Sequence, residues 1–138
     1  MKRRLSYLLL FAVLFASWKN SAYTFSNGDT NNPMYTYISG KSADLSVNEG
    51  KATVLVTVNG YSSSVDKCLI DIELQEKSGF RWVSVKSWST TSNSYSASIY
   101  EEYAVSSGKQ YRISGTVKVW AGNKTESAPV TSNIERSK

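Results

Sequence analysis

The side chains able to do chemistry in this chain are few, and the first fact about them is an absence. The 138 residues contain no histidine. Without imidazole there is no His-based general base, no Ser-His or Cys-His pair, and none of the usual zinc sites. Carboxylates remain. Asp71 and Glu73 fall between Ile70, Ile72 and Leu74, so they belong to the outer face of a strand, where ion pairing with Arg112 and Lys118 accounts for them. Glu101 is harder to place. Ile99 and Val105 share a parity that turns it inward, which predicts a bulge or an early strand end there. Neither a cleft nor a second acid accompanies it, so it makes no catalytic pair. Cys68 lies on the same apolar parity as Ile70, Ile72 and Leu74 and reads as a buried small hydrophobe. A single cysteine also rules out an internal disulfide. Asn27, Asp29, Asn31 and Asn32 are rich in oxygen, but their spacing does not match a calcium loop. No metal or other cofactor is expected, and the chain reads as a non-enzyme.

The remaining candidates are aromatic. If the turn at 76–79 closes a hairpin of two or four loop residues, position 72 faces 83 and position 70 faces 85. Val83 and Val85 then enter the core, while Phe80, Trp82 and Trp88 point outward. Trp120 has the outward parity on a strand whose inward positions are Tyr111, Ile113, Gly115, Val117 and Val119. Trp82, Trp88 and Trp120 are therefore expected to share one exposed sheet face, with Lys86 laying its stem between the first two. Such a face suits an extracellular protein patch or sugar rings stacked on indole. A three-residue turn with a bulge would reverse this parity.

The elements that must position these residues are strands. Ala52, Val54, Val56 and Val58 alternate with Thr53, Leu55, Thr57 and Asn59, a half-buried strand that Asn59-Gly60 closes. Comparable runs are expected over 35–47, with an interruption at Gly40, and over 68–75, 80–88, 95–103, 110–120 and 124–131. Seven short strands separated by turn signals indicate a sandwich rather than a parallel sheet.

Ahead of them stands a leader. Lys2-Arg3-Arg4, an apolar run to Ala16 and a polar exit ending at Ser21-Ala22 have the pattern of a secretory signal peptide. The expected organisation is a signal peptide over 1–22 and a loose arm over 23–34, then the sandwich over 35–133 and a C-terminal tail over 134–138. The net charge of +5 belongs largely to the leader, since Lys2, Arg3, Arg4 and Lys19 leave with it. The near-neutral remainder gives no basis for a nucleic-acid partner. No second apolar run or lipid-attachment cysteine follows, so no stable membrane anchor is expected after cleavage.

Val105-Ser106-Ser107-Gly108-Lys109-Gln110-Tyr111-Arg112-Ile113 resembles the corner between the fifth and sixth strands of fibronectin type III and other immunoglobulin-like domains. In that corner Gly108 permits the tight turn, while Tyr111 buries its ring and bonds backbone upstream through its hydroxyl. The chain as a whole is similar to small exported proteins of Gram-positive bacteria. That similarity rests on Val58 to Ser63, on Leu74 to Trp82, on Val85 to Ser89 and on Gly108 to Ile113. Together these resemblances imply one secreted, all-β, antiparallel immunoglobulin-like or fibronectin III-like sandwich of about seven strands. The function expected of it is non-enzymatic binding. A structural subunit that assembles by strand addition is the alternative, and a secreted hydrolase is disfavoured.

Overall fold

A computed structural model of the chain describes residues 34–138. The expected signal peptide, and the expected arm up to residue 33, lie outside the described residues. The strands are β1 (Ile38–Asn48), β2 (Lys51–Gly60), β3 (Lys67–Ser78), β4 (Arg81–Ser92), β5 (Ser96–Ala104), β6 (Gln110–Ala121), β7 (Lys124–Thr131) and β8 (Glu135–Arg136). They form two antiparallel sheets, one ordered β1-β2-β5 and the other β4-β3-β6-β7, with β8 also paired to β6. The result is an all-β sandwich.

Alternation makes the core. Ala52, Val54, Val56 and Val58 from β2 meet Cys68, Ile70, Ile72 and Leu74 from β3, and Tyr111, Ile113, Val117 and Val119 from β6, all of them buried. Each fully buried Val, Ile or Leu contributes roughly 1.5–3 kcal/mol, which is how the domain does without a disulfide. Cys68 is buried among them, and burial pushes its thiol pKa up. Gly40 marks an irregularity in the pairing of β1 with β2, at the interruption expected there.

Strand β4 departs from the expected register. A two-residue loop sets Ser78 opposite Arg81, Lys77 opposite Trp82 and Gln75 opposite Ser84. Between Leu74 and Gln75 the register then shifts, so that Leu74 faces Lys86 and Ile72 faces Trp88. One extra residue on a strand reverses the face of everything beyond it. Position 72 therefore does not face 83, and Trp82 and Trp88 lie on opposite faces of their sheet. Val85 packs against the core as expected. Val83 does not, and it stays 48% exposed.

Glu101 and the C-terminal residues also lie differently from the sequence expectation. Glu101 sits in neither a bulge nor a strand end, since β5 runs unbroken past it with Glu101 opposite buried Val54. Because β5 is a sheet edge, the carboxylate reaches solvent from an inward position, and an inward charge on an edge discourages further strand pairing. The residues expected as a tail, 134–138, are docked. Glu135 and Arg136 pair with Tyr111 and Gln110, and the Ser137 carbonyl accepts from the Gly108 N–H at 2.7 Å.

Candidate functional site

The three tryptophans expected on one face go to three places. Trp88 points toward the core and meets Tyr103 edge to face, with centroids 6.2 Å apart and planes at 84°. Such a pair adds about 0.5–1.5 kcal/mol beyond its buried area, and here it closes the flank between β4 and β5. Lys86 is exposed opposite Leu74, on the Trp88 side of the sheet, and so is not placed between two outward indoles.

Trp82 and Trp120 do share the outer face, but at its opposite ends. Their partners on β3 are Lys77 and Lys67, roughly 33 Å apart along a strand. Cations also occupy their rings. Arg112 lies 4.3 Å from the Trp82 centroid, while Lys67 and Lys118 lie 4.7 and 4.9 Å from that of Trp120. The broad indole platform expected from sequence is therefore not formed.

The direct ion pairs expected for Asp71 and Glu73 are also absent among the described residues. Arg112 Nε instead donates to Gln75 Oε1 at 2.7 Å, and Gln75 Nε2 donates to Glu73. The register explains this relay, since Arg112 lies directly opposite Gln75 rather than Glu73. Lys118, opposite Leu69, turns to Trp120.

At the corner before β6, Gly108 adopts φ +76°, which a glycine accepts without strain. The ring of Tyr111 is buried, and its hydroxyl accepts from the Ser106 N–H and donates to Glu76 Oε2, both at 2.9 Å. Burial first, and then the bond to Glu76, raises the phenol pKa. The group is thus a structural tie. Tyr111→Phe strands an N–H and a carboxylate oxygen, and it is expected to cost about 2 kcal/mol in urea unfolding. An unchanged midpoint would show that the corner does not depend on this hydroxyl.

A different constellation lies at the end of the sandwich where β2, β4 and β6 finish. Their following loops cover 61–66, 93–95 and 122–123, and the segment leading into β1 reaches the same end. The Gly60 N–H donates to the Tyr95 carbonyl at 2.7 Å, and the Tyr61 N–H donates to the Tyr37 carbonyl at 3.0 Å. The Asp66 N–H donates to the Trp120 carbonyl at 3.0 Å. A side chain at Gly60 would collide with Val65, a buried residue, at 2.5–2.8 Å. That close fit fixes where Tyr61 leaves the strand. Tyr61 and Tyr95 are 49% and 47% exposed on this rim.

At the same end the last residues of β2 and β4 and the first of β5 line an open groove of about 490 Å³, formed by Thr57, Asn59, Thr90, Ser92, Ser96 and Ser98 with one alanine. Among the described residues no charged side chain lines it. The loop sequences Gly60 to Ser64 and Ser92 to Ser96 use only Gly, Tyr, Ser and Asn, the residue types on which adaptable binding loops rely. The sequence contained a signal for this site. In a chain that runs up and down, the loops after the second, fourth and sixth strands must emerge at one end. Comparison with family models and with curated proteins finds no match to this chain.

Proposed function

We propose that this chain is an exported, non-enzymatic binding module of the fibronectin III-like branch of immunoglobulin-like sandwiches, and that it engages an uncharged glycan at its loop end. The Tyr111 corner supports that branch. So does β4, which joins the sheet of β3, β6 and β7 rather than that of β1, β2 and β5, unlike the fourth strand of a constant-type immunoglobulin domain. Export rests on the leader pattern over 1–22.

The observation that carries the binding reading is an uncharged, hydroxyl-lined groove at the end of the sandwich that also presents two half-exposed tyrosines. Serine, threonine and asparagine both donate and accept, as sugar hydroxyls require, and tyrosine offers an amphipathic ring for a sugar face. The volume falls within the range of ligand sites. Because backbone hydrogen bonds hold the rim, little ordering is needed on binding.

The test is affinity electrophoresis of the chain through gels containing neutral polysaccharides. Retardation by at least one of them is expected, with a loss of tenfold or more in affinity for Tyr61→Ala, Tyr95→Ala and an unchanged unfolding midpoint. A panel without retardation, or retardation that survives both substitutions, overturns the reading.

A further inference from the structure

We propose a second contact site, at the opposite end of the sandwich: the β3–β4 hairpin apex is a reversible docking point for an anionic lipid surface. The apex carries Lys77-Ser78-Gly79-Phe80-Arg81-Trp82-Val83. Phe80 sits in the two-residue loop beyond the Ser78–Arg81 pair and is fully exposed, so its ring contributes nothing to the core. Gly79, at φ +63°, makes the tight reversal that puts it there. Val83 faces the same side as Glu76 but lies beyond the core and stays 48% exposed. Trp82 lies across from Lys77, with the Arg112 guanidinium over its ring.

Charge selects the partner. From Lys77 to Tyr100 the chain has three cations, Lys77, Arg81 and Lys86, and no carboxylate. The nearest acid along the chain, Glu76, is engaged by the Tyr111 hydroxyl. The near-neutral charge of residues 23–138 as a whole hides this local excess. A single exposed phenylalanine flanked by cations, with a tryptophan one step behind, is the arrangement that partitions into a headgroup layer. Phenylalanine enters the acyl boundary, indole rests at the interface, and Lys and Arg reach anionic headgroups.

The dimensions agree. Phe80 to Val83 spans roughly 10 Å of strand, comparable to the depth of interfacial burial. The unpaired backbone of a hairpin loop cannot enter the hydrocarbon centre without loss, so the contact is shallow. With one aromatic anchor and a few cations, it is weak and salt-sensitive.

The experiment labels the apex itself. Ser78→Cys in the full chain takes a polarity-sensitive dye, because the buried Cys68 thiol is not accessible. Vesicles of phosphatidylglycerol and phosphatidylcholine in equal parts are expected to shift the dye emission to the blue, whereas phosphatidylcholine alone does not. High salt reverses the shift. Adding Phe80→Ser raises the lipid concentration at half-saturation tenfold or more, and Lys77→Gln with Arg81→Gln flattens the salt dependence. An apex dye that does not respond to anionic vesicles overturns the proposal and leaves a protein partner as the reason for Phe80. A shift equally strong with Phe80→Ser, or one reproduced by inorganic phosphate without lipid, overturns it too. The glycan site lies at the other end, so either reading can fail alone.

Discussion

Gly115→Ala is expected to lower stability by about 3 kcal/mol or more, although it adds a single methyl group. Gly115 occupies an inward position of β6, between Ile113 and Val117 and opposite Ile72. A Cβ there would run into the Asp71 carbonyl oxygen, and would stand 2.7 Å from Ile72 Cα and 2.8 Å from Ile72 Cγ2. Two of those three atoms are backbone. They belong to β3, which β4 holds on one side and β6 on the other, so the strand has no direction in which to yield. The Ile72 side chain is itself buried. Gly40→Ala is the matched control, since a Cβ at that position meets nothing within 4 Å. Urea unfolding of the two variants decides the matter. Equal midpoints would mean that β3 and β6 can separate at this crossing without loss.

Gly115 also marks where the sequence was legible and where it was not. Alternation placed it inward with Tyr111, Ile113, Val117 and Val119, because each residue states its own face once the strand is recognised. The need for glycine there is different. It arises from the approach of β3 to β6, which no pattern within β6 contains. The same division runs through the whole molecule. The bounds of β7 follow from its own residues, as does the corner that holds Gly108 and Tyr111.

The fates of Trp82 and Trp88 depend on the single register shift at Leu74–Gln75. Nothing in Val83-Ser84-Val85-Lys86 announces which residue will be the extra one. Apolar residues at 83 and 85 fit either parity, so the tryptophan face could be drawn from sequence and still be wrong. Gln75 shows a related limit. Opposite charges on neighbouring strands suggest pairs, but register put an amide between them. That the loops after β2, β4 and β6 emerge at one end follows from strand count alone, whereas the groove between β2, β4 and β5 depends on how the two sheets meet, which no single strand encodes.

Glu126→Ala is expected to cost about 3 kcal/mol and to loosen the start of β1 selectively. The Glu126 carboxylate accepts three consecutive backbone N–H groups, from Thr36 at 2.8 Å, Tyr37 at 2.9 Å and Ile38 at 2.8 Å. Burial alone pushes its pKa up, but the three N–H bonds to the charged form outweigh that, so the carboxyl sits below its ordinary value. A depressed pKa fixes the sign of the pH dependence. The folded state binds fewer protons than the unfolded one through this interval, so the contribution is complete above the unfolded Glu pKa of about 4.3. It disappears as pH falls through the folded pKa.

Alanine leaves the three N–H groups without an acceptor, and that of Ile38 is buried. It also bares a stretch of β1 edge on the flank where Asn133 already pairs with both backbone groups of Leu45 and Lys41 Nζ reaches the Pro129 carbonyl. Unpaired edges invite association, so the variant should also become more prone to self-associate as its concentration rises. Glu126→Gln keeps one acceptor oxygen, loses the charge, and should fall between wild type and alanine at neutral pH. As pH falls below the unfolded Glu pKa of about 4.3 the gap between wild type and the glutamine variant should begin to narrow, and it closes only as pH passes through the depressed folded pKa and the wild-type carboxyl takes up its proton. Unfolding curves from pH 3 to 7, with hydrogen exchange at residues 36–38, measure both effects. A gap that stays constant across that range would mean that Glu126 acts through shape rather than charge.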